Sequence, residues 1–465
     1  MPKFLLEKEN HIQVLLISFF VLLVVIPGFL YLHFKDDAIK DERGVLLENK
    51  MIFGKKMNEN MLLKNMPQIV AVTVEFQTVG ARSQAEIDLM KKILRDNDEL
   101  KELMPKTVSR NTQNMNLLPL VVILAHMMRV PEIKNPAFRE NLAHVLKLAP
   151  QHAALMLEVC SELNQANRMG ASPKVMKAKN FAQILEFTQH FIQGLWFGED
   201  PLLQLPGFNM DEIKNYRRIL KEHNIHEGSL QTFCSLGSEK RSQLGQFGGE
   251  TAKLAQLEKV IAALPVVEVT AEAFTEGEKT ITMIDAITLR FTVKYTQLME
   301  DQAPGYVHSG NFPYLKRQKW HLIVTDGATQ ESVIVHTPLD FKNKKGKDSN
   351  TATFEIKQRF GKSGQFSFHA FFKCDSYVGF DKEVDLKFEV KEEDRDRVIP
   401  EYSLEDVEAI NGPTMVESLM AGETTRDDDS DPDEDQAEAL SKKLNAAGLS
   451  ASSKKVTDQA SELVR

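Results

Sequence analysis

Ile287-Thr288-Leu289-Arg290-Phe291-Thr292-Val293-Lys294-Tyr295 alternates apolar and polar residues without a break. Successive side chains of a strand point to opposite faces, so this run makes a half-buried β-strand with one dry and one wet face. Similar runs stand at 266–274, 319–325, 332–337, 352–358, 366–374 and 384–390, with turn signals between them. Seven short strands of this kind read as an antiparallel β-sandwich of immunoglobulin or fibronectin type III kind over 265–392.

Upstream of Pro265 the period changes from 2 to 3.6, which marks a domain boundary. Ser83 and Glu86 fit a capping box, in which hydroxyl and carboxylate each satisfy a free backbone donor. Ile87, Met90 and Leu94 follow at one-face helical spacing. Further helices are expected near 117–129, 137–148, 151–169 and 174–196, punctuated by Pro131, Pro136, Pro150 and Pro173. Residues 83–200 therefore read as an all-α bundle. Residues 201–264 read as a smaller helix-hairpin-helix-like unit, entered through Leu202-Leu203-Gln204-Leu205-Pro206-Gly207-Phe208. Its turn at 222–228 lacks a Gly-x-Gly hairpin and a basic flank, so DNA-backbone binding is not expected. Residues 35–82 read as a linker, with Ile69 to Val74 as a short strand or an extended approach.

Farther out, Ile12 to Leu32 carries no charge and is dominated by Leu, Ile, Val and Phe. That length suits a helix crossing about 30 Å of hydrocarbon. A cleaved signal peptide is the rival, but the run exceeds a signal core and Tyr31-Leu32-His33-Phe34-Lys35 offers no small-residue cleavage site. A transmembrane helix is thus expected over 12–34. Lys35, Lys40, Arg43 and Lys50 outnumber Lys3 and Lys8, which puts 1–11 in the lumen and the body in the cytosol. The second apolar stretch, Leu117 to Met128, is too short to span and reads as a buried helix.

The 465 residues carry a net charge of −9, which argues against a general nucleic-acid binder. Much of the acidic excess lies beyond residue 392, densest at Asp427-Asp428-Asp429-Ser430-Asp431-Pro432-Asp433-Glu434-Asp435. The stretch 393–465 reads as an acidic disordered tail. Cys160, Cys234 and Cys374 form no CxxC pair, which suits a reducing compartment. Gly361-Lys362-Ser363-Gly364 lacks the earlier glycine of a phosphate loop, since Ile356 stands there, and reads as a turn between strands. The histidines form no HExxH; His126 reads as a satisfied core residue and Cys160 as a packed small hydrophobe. No catalytic constellation, metal set, cofactor site or small-molecule substrate site is expected. Lys342-Asn343-Lys344-Lys345-Gly346-Lys347 reads as a solvated basic turn, with anionic lipid headgroups or ribosomal RNA as the alternative contacts.

The order of one span, helical bundle, small helical unit, sandwich and acidic tail resembles the Sec sixty-three family of endoplasmic-reticulum translocon subunits. The likeness is carried by Leu202 to Pro206, by Trp320-His321-Leu322-Ile323-Val324, by Asp375-Ser376-Tyr377-Val378-Gly379-Phe380-Asp381, and by Leu386-Lys387-Phe388-Glu389-Val390. Pro2-Lys3-Phe4-Leu5 and the span resemble the family's third transmembrane segment and its approach. The resemblance implies a non-enzymatic subunit whose sandwich contacts a cytosolic loop of the channel subunit and promotes post-translational translocation. It implies that Asp427, Asp428, Asp429, Asp431, Asp433, Glu434 and Asp435 pair with a basic segment of another translocon subunit. Ser430, with Asp433 three residues on, fits an acidophilic kinase site. The family's lumenal J domain carries His-Pro-Asp, which is missing from this sequence. A truncated or split gene product, or a paralogue without chaperone recruitment, is therefore expected. Spliceosomal helicases carry units like 83–390 but also motor domains and no span. A membrane-anchored secretory-pathway adaptor unrelated to the channel is the alternative.

Overall fold

The computed structural model describes residues 11–34, 40–77, 79, 83–104, 117–222, 229–239, 241, 251–277, 280–283, 285–341 and 348–392. At the N-terminus one helical rod runs through His11–Phe20, Val21–Val25 and Ile26–Phe34. Its middle piece is π-helical and lies just before Pro27, which has no N–H for the carbonyl of Leu23. A local π adjustment is one way a helix absorbs such a proline. Leu15–Leu32 is long and apolar enough to cross a bilayer, and none of it is buried by the rest of the chain.

The helical half begins earlier than periodicity indicated. Helices α1 (Glu48–Lys56), α2 (Met66–Ala71) and α3 (Val74–Gln77) occupy the stretch read as a linker, and Ile69 to Val74 is not a strand. Val45, Phe53, Met57, Met66 and Val70 are buried in the same core as the later helices. Pro67 in the first turn of α2 pre-sets helical φ, and the β-branched residues behind it follow because burial outweighs their strand preference. Helix α4 (Gln84–Asp96) opens on the expected capping box: Glu86 N–H donates to Ser83 Oγ and Ser83 N–H to the Glu86 carboxylate, both at 3.3 Å. Helix α5 (Asp98–Glu102) leads towards α6 (Leu117–Met127), which is buried from Leu118 onward as its composition requires.

Pro150 does not divide two helices. A single helix, α7 (Arg139–Arg168), runs through it, and α8 (Ala178–Gln193) packs alongside. Proline removes only the bond to the carbonyl of Leu146, and Ala149, Pro150 and Ala153 are all buried in the core, whose packing offsets that loss. Short helices α9 (Met210–Glu222), α10 (Leu230–Ser235) and α11 (Thr251–Ala263) follow; the turn at 223–228 lies outside the described residues.

The seven expected strands are present: β1 (Val267–Thr275), β2 (Ile287–Tyr295), β3 (Trp320–Asp326), β4 (Val333–Leu339), β5 (Thr351–Gln358), β6 (Gly364–Cys374) and β7 (Lys382–Val390). They form two antiparallel sheets, ordered β1-β2-β5 and β4-β3-β6-β7. Gly361-Lys362-Ser363 is the β5–β6 turn. Inner-face residues Leu289, Phe291 and Val293 share one core with Leu322, Val324, Ala370 and Phe372. The indole N–H of Trp320 crosses between the sheets to Tyr295 Oη at 2.8 Å. Helices α9–α11 contribute Tyr216, Phe233 and Leu257 to this same core, so the smaller helical unit and the sheets bury their apolar faces together.

Strand β3 is buried on both faces. Trp320, Leu322 and Val324 point into the inter-sheet core, while Ile323, with Val333 of β4, joins the core of α1–α8. That is why its sequence reads as a continuous apolar run rather than an alternation. The described helices and sheets accordingly belong to one compact unit.

Candidate interaction site

Gln189 and Gln193 stand four residues apart on α8, hence on one helix face, and both are buried. The side-chain amide of Gln189 donates to Cys374 O at 2.6 Å and to Asp381 Oδ1 at 2.9 Å. That of Gln193 donates to Ser376 O at 2.7 Å and to His308 O at 3.2 Å. Gln204 donates to Val378 O at 2.8 Å and accepts from Val378 N–H at 3.3 Å, while Gln231 donates to Gly379 O at 2.7 Å. Asp375 to Asp381, the β6–β7 turn, is thus clasped by four amides from three helical segments. Asp375 is buried, which alone would raise its carboxyl. The Lys316 ammonium, with Ser376 Oγ, outweighs that and holds it below the usual carboxylate range. Tyr377 Oη accepts from His308 N–H at 2.7 Å. Buried amides paired to carbonyls fix a joint; they do not move protons.

A second joint lies under α7. The Glu75 carboxylate accepts from Leu46 N–H at 2.6 Å, Asn49 Nδ2 at 2.6 Å and His152 Nε2 at 3.2 Å. Burial pushes this carboxyl up, but the bonds from His152, Leu46 and Asn49 together hold it down at about 2. A third joins α7 to the outer sheet face: Ser161 Oγ lies 3.1 Å from His336 Nδ1, and His336 Nε2 lies 3.2 Å from His321 Nδ1. Burial lowers both imidazoles, His321 to about 4 and His336 to about 3, so both are neutral near pH 7. His126 is the core residue its setting indicated: its Nε2 lies 2.8 Å from Phe191 O and burial lowers it to about 4. Cys160, Cys234 and Cys374 are buried, and burial pushes all three thiols up, Cys234 to about 12. Among the described residues no group of three His, Cys, Asp or Glu side chains is placed to hold a metal.

The β2–β3 connection, residues 296–319, leans across the start of α7. Tyr314 Oη donates to Ala143 O at 2.8 Å and Ser309 Oγ to Ile192 O at 2.7 Å. Between this connection, residues 131–136 and α7 runs a trough. Asp427 to Asp435, with Ser430, and the Lys342–Lys347 turn lie outside the described residues. The three joints left no mark in the sequence, because their partners stand from 15 to 192 residues apart.

These features define the class: a mixed helical and antiparallel-β body, closed by buried amide and carboxylate joints and preceded, among the described residues, by one candidate membrane-crossing helix. Within that class the chain belongs to the Sec63 Brl domain family, whose sequence model matches residues 47–387. It is similar to the DnaJ protein ERDJ2B of Arabidopsis thaliana, at 21% identity over 76% of this chain and 58% of that protein. The translocation protein SEC63 homolog of Homo sapiens is 24% identical over 57% of this chain and 35% of its own length. The DExH-box ATP-dependent RNA helicase DExH13 of Arabidopsis thaliana is 25% identical over 52% of this chain but only 11% of the helicase. The chain therefore spans between about a tenth and three fifths of these relatives' lengths.

Proposed function

We propose that this chain is a membrane-anchored, non-enzymatic subunit of the endoplasmic-reticulum protein-translocation machinery, with its body in the cytosol. The observation that carries the reading is an adjacency: the candidate span ends at Leu32 and the family match begins at residue 47. A helicase module has no use for such a span, and the helicase likeness is confined to a small share of the helicase. Buried thiols held protonated and histidines held neutral in packing contacts support a binding role over a catalytic one.

The strand order β1-β2-β5 over β4-β3-β6-β7 supports reading the sheets as a fibronectin type III-like sandwich. That sandwich would meet a cytosolic loop of the channel subunit and favour the open lateral gate. A bound subunit shifts the gate only by its difference in affinity for the two states. The anchor raises the local concentration of the body beside the channel. Asp427 to Asp429, Asp431 and Asp433 to Asp435 would attract a basic segment of a second translocon subunit, less strongly as salt rises. Phosphorylation of Ser430 would add roughly −1.5 to −2 charge there.

Detergent extraction and affinity capture of the full chain test this directly. The translocon channel subunit is expected to co-purify, and removing 427–435 is expected to lose the basic partner while keeping the channel. Capture of other secretory-pathway proteins without the channel would replace the reading with that of an unrelated anchored adaptor.

A further inference from the structure

Two cavities, of about 380 and 570 Å³, share Ile133, Lys134, Leu142, Leu146 and Pro313 as lining and so form one trough. The larger volume lies within the ~300–1,000 Å³ usual for ligand pockets. Its floor is aliphatic, from Ile133, Leu142 and Leu146, with Pro136 and Pro313 as walls. None of its lining residues is acidic. The exposed cations Lys134 and Arg139 stand at the rim, and among the described residues neither has a carboxylate at ion-pair distance. Arg129 lies deeper, half buried, and its guanidinium donates to Gly194 O at 2.6 Å and Leu203 O at 3.1 Å, both backbone carbonyls. The carboxylate of nearby Glu132 faces away to Lys92 at 3.3 Å. The 30-residue helix α7 begins at the trough, and the positive end of its dipole adds to the same sign of potential.

We propose that this trough is a docking site for an extended acidic segment of another protein, one that carries a large apolar side chain between its carboxylates. The apolar residue fills the space over Leu142 and Leu146, and carboxylates on either side meet Lys134 and Arg139. The charge balance argues for this occupant: a dry floor alone accepts any apolar group, but two exposed cations at the rim, Lys134 and Arg139, without an acid among the lining residues select an anionic one. The concave shape favours a peptide, since a lipid surface requires basic residues on a flat or convex face. The proposal stands apart from the channel-subunit reading, because it concerns the helical half and holds whichever assembly the chain joins.

The test uses the full-length chain in detergent and a fluorescein-labelled synthetic peptide of alternating Asp and Glu around a central Phe-Leu pair. Anisotropy is expected to show saturable binding that weakens as ionic strength rises, whereas the same peptide with Asn and Gln in place of the acids does not bind. Lys134→Glu with Arg139→Glu is expected to weaken binding at least tenfold. Because both side chains are exposed, the double variant keeps the wild-type melting temperature. Ala143→Trp, which fills the trough without touching charge, is expected to weaken it similarly. Equal binding of the neutral peptide, unchanged affinity in both variants, or capture of phosphatidylserine vesicles but not of the peptide through Lys134 and Arg139 each overturns the proposal.

Discussion

Replacing Gln193 by leucine keeps the volume of a buried side chain and deletes its donors. Two carbonyls, the buried one of Ser376 and the half-buried one of His308, then lose the amide that sits 2.7 and 3.2 Å away. Stranding a buried acceptor costs ~1–3 kcal/mol, and a carbonyl with a second lone pair to redirect falls at the lower end. For two of them the expected loss is ~2–3 kcal/mol, felt where the helices meet the β6–β7 turn. The readout is amide hydrogen exchange. Val378 N–H, bonded to Gln204 Oε1, and His308 N–H, bonded to Tyr377 Oη, report on opening of this joint. Their exchange is expected to accelerate roughly 30- to 150-fold, a tenfold change being about 1.36 kcal/mol. Leu46 N–H, held by Glu75 in a separate joint, serves as the control and is expected not to change. Unaltered exchange at Val378 and His308, with wild-type stability, refutes the view that the α8 amides hold the two halves together.

Acid is expected to destabilise the fold through the neutral pair His321 and His336. Their folded pKa values, about 4 and 3, lie below the unfolded 6.5, so their contribution is complete above pH 6.5 and is lost as pH falls toward 4. Melting curves from pH 8 to 4 check this, and His336→Leu is expected to flatten the slope. Gly194→Ala is expected to cost about 1–2 kcal/mol in chemical denaturation, since its φ is +58° and an added Cβ meets Asn311 Cβ at 2.9 Å. Cys160, Cys234 and Cys374 are expected to resist thiol labelling in the folded chain and to react fully once it is unfolded, as mass spectrometry would show.

The sheets were legible because their residues repeat locally: β2 shows its pattern within nine residues, and the register with β1 and β5 then follows the dry face. The capping box at Ser83 was equally local. Where tertiary packing decides, local rules mislead. Pro150 suggests a break because its ring opposes helix, yet packing on both sides carries α7 through it. Ile69 to Val74 suggests a strand by β-branching, but the core under α7 takes Ile69 to Ala71 as the end of α2 and Val72 and Thr73 as the turn into α3. The joints were invisible for a different reason. Glutamine is usually exposed, so Gln189, Gln193 and Gln204 give no hint that backbone carbonyls more than a hundred residues away will bury them.

Strand β3 has consequences for how the chain must assemble. Its even-numbered side chains complete one core and Ile323 the other, so a slip of a single position would present the wrong residues to both at once. Mispairing is therefore penalised twice, and the error cannot be absorbed by repacking one side. Cutting the polypeptide ahead of residue 320 would leave the earlier helices with a raw apolar wall where Ile323 and Val333 belong. Helices and sheets must consequently mature as a cooperative whole, with β3 as a piece shared by both halves.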